Sequence, residues 1–359
     1  MKKNVFLLLA GFLSASVLWA QNMDVIHYRF QLELNDHNDT ISGVAEIKAI
    51  AKNTGPVQFD LEQTDNSGRG MKVTQVERDS HNNPCSFLQE NNKLVVPLIK
   101  SVPGDTLFFR IHYKGIPDDG LIISKNKFGD RTFFADNWPQ RAHHWIPCVD
   151  RPDDKASFEF LVTAPSYYRV VSNGVKREEK ELNNGKKFTH WKEDTPLSTK
   201  VMVIGVARFA VKVFDDSPKD IPVSAWIYPQ DSTKGFFDFA SAPEIVKFFS
   251  DYVAPFPYKK LANVQSTTIM LGMENASCIF YAENAITGER SMEETLVHEI
   301  AHQWFGDMAS EKSFAHLWLS EGFADYLTNL FIEKKYGREA AMERLQKARE
   351  DVIDFARVS

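Results

Sequence analysis

The sequence predicts an α+β protein in which a region of antiparallel strands precedes a mainly helical region. Apolar and polar residues alternate in several runs between residues 25 and 210, and this period of two is typical of strands with one solvated face. After about residue 210 the apolar residues follow a helical spacing instead. A content of 43% hydrophobic and 25% charged residues is that of a globular protein and excludes a disordered, collagen-like or coiled-coil chain.

The N-terminus has the layout of a secretory signal peptide. Lys2 and Lys3 precede an uncharged apolar run, and Ala20 offers a small residue for cleavage before Gln21. The run is short for a membrane span, so an uncleaved anchor is the less favoured alternative. We therefore expect residues 1–20 to be removed and the protein to be exported, periplasmic or secreted, without a stable membrane anchor.

The first domain is predicted to extend over residues 21–210 and to consist of strands. Asn173-Gly174 and Asn184-Gly185 each predict a β-hairpin, because Asn-Gly favours the tight turn that joins two antiparallel strands. The alternating runs that predict strands are residues 26–34, 107–113 and 158–162.

The second domain is predicted to cover residues 211–359 and to contain one strand and four helices. Ser241 and Ser291 are each followed three residues later by Glu, a capping box that predicts a helix start. The expected strand covers residues 223–228. The first expected helix starts at Ser241, and the second starts at Ser291 and ends near residue 304. The third covers residues 317–335 and stops before Gly337, and the fourth covers residues 338–359.

Charge and cysteine content exclude several classes of partner and site. The net charge of −6 provides no basic surface for nucleic acid, so we expect none to bind. Cys85, Cys148 and Cys278 are an odd number of cysteines and form no CxxC pair. A disulfide framework and a cysteine metal site are therefore excluded, and any metal must be held by histidines and carboxylates.

His298-Glu299-Ile300-Ala301-His302 is the most informative segment. Histidines four residues apart lie on one face of a helix, so both rings can reach a single ion. Glu299 lies beside them without having to bind the ion. A catalytic zinc site needs a third protein ligand, and Glu321, on the next predicted helix, is the candidate. We predict one Zn²⁺ per chain held by His298, His302 and Glu321, with Glu299 as the general base that activates the zinc-bound water. The alternative, a surface helix that carries these residues by chance, is much less favoured.

Three further segments accompany this motif. They are Leu271-Gly-Met-Glu-Asn275, Trp318-Leu-Ser-Glu-Gly-Phe-Ala324, and Pro147-Cys-Val-Asp-Arg-Pro152 followed by Lys155-Ala156. Together with the zinc motif, in this order and at this spacing, they closely resemble the M1 family of zinc aminopeptidases. The resemblance implies an N-terminal β saddle domain followed by a thermolysin-like catalytic domain.

The resemblance also implies a substrate site at Gly272, Met273, Glu274 and Asn275. A carboxylate near the cleavage site can select a free α-ammonium by charge pairing, and the family's motif assigns this role to Glu274. Gly272 would let a strand edge lie close to the substrate backbone. We therefore expect the substrates to be peptides with a free N-terminus, and the reaction to be hydrolysis of their first peptide bond.

This sequence departs from the family pattern at three places. One is Ser320, which replaces the family's usual Asn, a small change that we expect to be tolerated. The family's second amine-binding position falls on Trp138, with Gln140 as an offset candidate. The family's catalytic tyrosine would fall near residue 380, beyond Ser359. We therefore expect the sequence to be a fragment, truncated before that tyrosine and the helical C-terminal domain. Two alternative functions stay open: a thermolysin-like endopeptidase, and a metal-binding, peptide-binding fragment with impaired catalysis.

Asp325 is a further candidate site residue. It lies four residues after Glu321, where its carboxylate could accept the free ring N–H of a zinc-bound histidine, although a solvated helix carboxylate is an equally good interpretation. His143, His144 and His316 match no ligand spacing, so we expect structural or surface roles for them.

Overall fold

The structure, a computed structural model, describes residues 22–78, 83–98 and 101–358. The predicted signal peptide, residues 1–20, lies outside these ranges. Among the helices in these ranges, none is long and apolar enough to cross a membrane.

The strands occupy most of the first two thirds of the chain. In chain order they are β1 Met23–Glu33, β2 Ile41–Ala51, β3 Val57–Asp60, β4 Gly70–Arg78, β5 Asn83–Pro84, β6 Leu88–Glu90, β7 Lys93–Val96, β8 Thr106–Ile116, β9 Leu121–Lys125, β10 Arg131–Ala135, β11 Lys155–Pro165, β12 Arg169–Ser172, β13 Val175–Glu181, β14 Lys186–Ser198, β15 Ile204–Ala207, β16 Ala210–Val213, β17 Val223–Ile227, β18 Leu261–Ser266, β19 Gly272–Met273 and β20 Cys278–Ala282.

In the part of the chain that the structure describes, the α-helices all follow β17. They are α1 Ser232–Asp238, α2 Ala242–Tyr252, α3 Glu293–Ala301, α4 Leu317–Tyr336 and α5 Arg338–Val358. The segregation of strands and helices along the chain confirms the predicted α+β class.

Four sheets organise the described residues. The largest has the order β13-β14-β11-β1-β2-β8-β4-β5, and two smaller ones have the orders β12-β15-β10-β9 and β3-β7-β6. Pairing in the large sheet is antiparallel except between β1 and β11, which run parallel. The fourth sheet, β16-β17-β18-β20-β19, begins at Ala210, close to the predicted domain boundary, which itself stays a prediction.

Aromatic side chains fill the core of the N-terminal region. Phe30 stacks on Phe160 with ring centroids 5.3 Å apart, and Trp145 stacks on the same Phe160 at 5.8 Å. All three are fully buried, and for Phe30 and Phe160 this agrees with the alternation along β1 and β11. The indole N–H of Trp145 donates to Asn137 Oδ1 at 2.8 Å, so burying the ring leaves no unpaired donor.

One of the two predicted hairpins is wrong. Asn184-Gly185 joins β13 to β14, which pair antiparallel as predicted. Asn173-Gly174, however, separates β12 from β13, and these strands belong to different sheets. Asn173 instead donates from its buried Nδ2 to the carbonyls of Val201 and Ala276. The pair therefore marks the point where the chain crosses between sheets.

Helices α2 to α5 lie close to their predicted positions, whereas α1 was not predicted, and both predicted capping boxes are wrong. Ser241 already has a helical backbone conformation because a 3₁₀ turn precedes α2. Met292 rather than Ser291 occupies the N-cap position of α3, and the hydroxyl of Ser291 pairs with that of Thr287 at 3.0 Å. Helix α3 ends at Ala301, earlier than predicted.

Strands β18, β19 and β20 were not predicted. Every residue of β18 and β20 is buried, so neither strand shows the alternation that marks a half-exposed strand. They place the Gly272–Met273 segment, β19, at one end of the fourth sheet.

Candidate active site

Helices α3 and α4 pack against each other and present His298, His302 and Glu321 to one point. His302 follows α3 directly at its C-cap, and the intervening loop turns at Gly306, whose φ of 128° favours glycine. Phe305 of this loop stacks on Phe323 of α4 with ring centroids 4.5 Å apart. The loop is thereby attached to the helix that carries Glu321.

The three side chains converge closely. The two Nε2 atoms of His298 and His302 lie 2.9 Å apart. Glu321 Oε2 lies 3.3 Å from Nε2 of His298 and 3.5 Å from Nε2 of His302. Tetrahedral zinc with bonds of about 2.0–2.1 Å would hold its ligand atoms about 3.3 Å apart. The spacing of the trio therefore fits such an ion.

The orientation of the rings also fits a cation. Nδ1 of His302 lies 3.0 Å from the carbonyl oxygen of Phe305, and Nδ1 of His298 lies 3.5 Å from Asp325 Oδ1. Because both neighbours are acceptors, the Nδ1 atoms carry the protons of the neutral rings, and the lone pairs of both Nε2 atoms face each other. Only a proton or a cation between them stabilises that arrangement.

The pKa values of the two histidines and of Glu321 also indicate that this point favours positive charge. Burial lowers the pKa of His302, but the hydrogen bond to Glu321 and the charges of Glu274 and Glu299 outweigh it and raise the pKa to about 10. Burial also lowers the pKa of His298, but the hydrogen bonds to Asp325 and Glu321 outweigh it and raise the pKa to about 9. Burial would raise the pKa of Glu321, yet the two histidines hold it well below its usual range. A bound cation would replace these protons.

Glu299 is buried close to the two histidines. Its side chain is buried, and burial, reinforced by the charge of Glu274, raises its pKa to about 7 even though His302 and His298 oppose the shift. A carboxyl group with this pKa can both accept and donate a proton near neutrality. A Cβ on Gly272 would lie 2.4 Å from Glu299 Oε1, so a side chain at this position would displace the Glu299 carboxyl group or β19.

The segment around Glu274 is held against α3 by Gln303. Gln303 Nε2 donates to the carbonyl of Glu274 at 3.0 Å and to Asp307 Oδ2 at 3.0 Å. Its Oε1 accepts from the backbone N–H of Ser277 at 2.6 Å. Gln303 was not among the residues predicted from the sequence, although its position directly after His302, four residues beyond Glu299, is a signal that it faces the same side as Glu299.

The structure brings together all the predicted site residues of this region. Glu274 and Met273 are buried, and Asn275 is fully buried, with its side-chain amide atoms lacking a hydrogen-bond partner among the described residues. Asp325 lies beside His298, and its Oδ1 also accepts from Arg344 Nη2 at 2.8 Å. The hydrogen bond from His298, aided by Arg344, lowers the pKa of Asp325 to about 2 against the effect of burial. The chemical roles of these residues stay predictions.

Two lysines of the N-terminal region hold the loop between His302 and Glu321. Lys155 Nζ, on β11, donates to the carbonyls of Asp307 at 3.2 Å and Met308 at 2.8 Å. Lys200 Nζ pairs with Glu311 Oε1 at 2.6 Å, and both side chains are buried. Sequence analysis did not find this contact, because the partners are far apart in the chain.

The other residues singled out in the sequence have different environments. The Gln140 side chain donates to the carbonyl of Asp150 at 3.0 Å, so its amide N–H is engaged within the protein. Cys85, Cys148 and Cys278 are free thiols. His143 and His144 form a second group of potential ligands together with Glu62.

Comparison with known proteins gives consistent matches. The family model described as "Peptidase M1 N-terminal domain" matches residues 25–201, and the "Peptidase family M1 domain" matches residues 237–356. "Probable aminopeptidase 1" of Sulfurisphaera tokodaii is 26% identical over 320 residues, which cover 85% of this chain and 38% of the relative. "Glutamyl aminopeptidase" of Rattus norvegicus is 23% identical over 327 residues, covering 84% of this chain and 34% of the relative. The chain thus spans little more than a third of the length of these two relatives.

Solved structures share the fold. The M1 zinc metallopeptidase from Deinococcus radiodurans aligns with a TM-score of 0.76 and 23% identity, over 93% of this chain and 76% of that one. Native yeast LTA4 hydrolase aligns with a TM-score of 0.81 and 18% identity, over 95% of this chain and 54% of that one.

Proposed function

Since this chain belongs to peptidase family M1, whose two domain models together match most of its length, we propose that it is a zinc aminopeptidase. It would hydrolyse the first peptide bond of peptides that have a free N-terminus. The observation that carries this proposal is the placement of the buried carboxyl group of Glu299 beside the convergent trio of His298, His302 and Glu321.

The trio supplies the ligands that Zn²⁺ prefers, two imidazole nitrogens and one carboxylate. When bound there, zinc would polarise the scissile carbonyl and lower the pKa of the attacking water. Nδ1 of His302 donates to a backbone carbonyl, which fixes the ring so that Nε2 stays directed at the site.

Glu299 would act as the proton carrier. Its raised pKa, about 7, lets it accept a proton from the attacking water and later deliver that proton to the leaving amine. Gly272 packs close to the carboxyl group of Glu299 and so helps to position a side chain that must meet both water and leaving amine.

Glu274 and β19 would bind the N-terminal end of the peptide. Glu274 is close enough to Glu299 and His302 to shift their pKa values, so its carboxylate can pair with an α-ammonium near the reacting bond. Strand β19 is the last in the order of its sheet among the described residues, which leaves backbone groups for an extended substrate. A structural relative, a mutant of the M1 zinc metallopeptidase from Deinococcus radiodurans, is described as bound to a Tyr-Ser-Ala substrate, which supports peptides as the substrate class.

Cleavage of matched peptides with free and N-acetylated N-termini tests this function. An aminopeptidase releases the first residue of the free peptide and leaves the acetylated one intact, because acetylation removes the ammonium that Glu274 would pair with. Equal cleavage of both peptides, at an internal bond, would assign the chain to the endopeptidases instead. Binding of the free peptide without cleavage by the zinc-loaded protein would favour the non-catalytic alternative.

We also propose that the protein is exported. The basis is the arrangement of Lys2, Lys3, the apolar run and Ala20. N-terminal sequencing of the protein recovered outside the cytoplasm should begin at Gln21, whereas recovery of intact Met1 in the cytoplasm would contradict the proposal.

A further inference from the structure

We propose a second metal site in the N-terminal β region, formed by Glu62, His143 and His144, that binds Zn²⁺ or a similar late divalent transition metal. These histidines were expected to have structural or surface roles, because they match no ligand spacing. The structure brings them together with Glu62, which follows β3, so that one ligand atom of each residue lies within 4.8 Å of the others.

The three side chains can close around an ion with small movements. His143 Nε2 lies 3.9 Å from Glu62 Oε2, and the rings of His143 and His144 lie 4.4 Å apart between centroids. Tetrahedral zinc would hold ligand atoms about 3.3 Å apart, so ligand-atom distances that now lie within 4.8 Å would have to shorten by at most about 1.5 Å. The backbone under the site is already fixed, because the N–H of Glu62 donates to the carbonyl of His143 at 2.8 Å.

Each histidine has a carboxylate partner on Nδ1. Asp150 Oδ2 lies 2.7 Å from Nδ1 of His143, and Asp118 Oδ1 lies 2.9 Å from Nδ1 of His144. A carboxylate that accepts the Nδ1 proton selects the tautomer in which Nε2 carries the lone pair, and it makes that nitrogen a better ligand. For His143, this lone-pair nitrogen is the one that lies toward Glu62.

The partner of His143 is itself held firmly. Asp150 is buried, and its Oδ1 accepts from the hydroxyl of Thr199 at 2.7 Å. Its Oδ2 also accepts from the backbone N–H of His143 at 3.2 Å. The same arrangement, a metal-facing ring with its second nitrogen bonded to an acceptor, occurs at His302 in the candidate active site.

Local charge also favours a cation. Within the described ranges, the ion pairs recorded for Glu62, Asp118 and Asp150 are made with His143 and His144. When both histidines are neutral, one carboxylate faces this point and two more lie behind the rings, and a divalent ion offsets most of their charge. Two imidazoles and one carboxylate are a donor set for Zn²⁺, Co²⁺ or Ni²⁺ rather than for Ca²⁺ or Mg²⁺, which prefer oxygen ligands.

An ion at this site would connect two distant parts of the chain. Glu62 follows β3, and the histidines end the short 3₁₀ helix Ala142–His144. Because the ion binds these residues only when the fold brings them together, its binding free energy adds to the stability of the native state. The site therefore has a structural role, and it does not depend on the proposed peptidase activity.

Metal titration of the metal-free full chain tests the proposal. In a His298→Ala/His302→Ala background, which removes the first site, Zn²⁺ should still bind at about one equivalent and raise Tm. Adding Glu62→Gln or His143→Asn should weaken this binding by more than about 100-fold and abolish the rise in Tm.

Asp118→Asn should weaken the binding of Zn²⁺ by about 10–100-fold, as the loss of a residue that hydrogen-bonds to a metal ligand does. His37→Asn, at an exposed histidine, is the matched control and should change neither the binding nor the rise in Tm.

Two outcomes would overturn the proposal. One is the absence of a Zn²⁺ equivalent in the double-alanine background, and the other is unchanged affinity after both Glu62→Gln and His143→Asn. Should the background itself not fold, Glu62→Gln alone in the unaltered chain decides the question: the stoichiometry should fall from two equivalents to one, and a stoichiometry that does not change rejects the site.

Discussion

Each histidine of the candidate active site has one ring nitrogen near an acceptor and the other directed at the common point. His302 uses the carbonyl of Phe305, which the backbone provides, whereas His298 uses Asp325, a side chain that a single substitution can remove. Arg344 competes for the same oxygen of Asp325. Asp325 therefore tests how far the outer partners determine metal binding.

Asp325→Asn should weaken zinc affinity by about 10–100-fold, because the amide no longer accepts the Nδ1 proton of His298 as a charged partner. A chelator competition titration measures this change. Asp351→Asn, at an exposed position of α5, is the control and should leave the affinity unchanged. If Asp325→Asn behaved like the control, Asp325 would be only a partner of Arg344.

At the residue scale, local spacing predicted the convergence of the candidate ligands but not the contacts of Gln303 that support the site. His298 and His302 lie four residues apart on one turn of structure, so their convergence follows from helix geometry alone. Gln303 fixes Glu274 through a contact that spans 29 residues, and no local pattern encodes such a contact.

Among the secondary-structure elements, helices α3 and α4 carry the convergent side chains, and β19 contacts Glu299 through Gly272. The two residues of β19 pair with β20 on one side, and Gly272 lies against the Glu299 carboxyl group. The position of this short strand thus depends on the absence of a side chain.

Gly272→Ala should lower kcat by about 100-fold while zinc content is retained, because the new Cβ would force Glu299 or β19 to move. The free energy of unfolding should fall by about 1–3 kcal/mol, as overpacking does. Gly322→Ala is the control: nothing lies within 4 Å of its added Cβ, and alanine in a helix stabilises by about 1 kcal/mol. Unaltered kcat in Gly272→Ala would show that Glu299 needs no such support.

At this scale, a short motif in the sequence predicts an element correctly only where the neighbouring parts of the fold permit it. Asn184-Gly185 forms its hairpin because both flanking strands belong to one sheet, whereas the same dipeptide at 173–174 does not, because the flanking strands pair with distant partners. Ser241 and Ser291 fail as caps for a similar reason, since the turns before the helices decide their conformation.

At the scale of the whole molecule, the N-terminal region holds the loop between His302 and Glu321. Lys155 and Lys200 reach this loop from β11 and from the turn after β14. The family resemblance pointed to Lys155-Ala156, but the pairing of Lys200 with Glu311, separated by 111 residues, had no signal in the sequence.

Lys200→Met should lower the free energy of unfolding by about 3–5 kcal/mol, because Glu311 would be left buried without its partner. Adding Glu311→Leu should recover most of this loss, since an apolar pair can replace a buried ion pair. Lys247→Met removes an exposed ion pair with Asp251 and should cost less than about 1 kcal/mol. Denaturant unfolding measures all three, and equal losses for Lys200→Met and Lys247→Met would show that the buried pair does not hold the loop.

The most direct test of the account compares zinc content and turnover of an aminoacyl chromogenic substrate in Glu299→Gln and in His302→Ala. Glu299→Gln should retain about one zinc at the active site and lose about 10²–10⁴-fold in kcat, because it removes the proton carrier and no ligand. His302→Ala should lose the zinc itself, and Glu294→Gln, an exposed glutamate on the same helix, should change neither quantity. A metal-free Glu299→Gln protein, or one with full turnover, would contradict the assignment of Glu299 as the base.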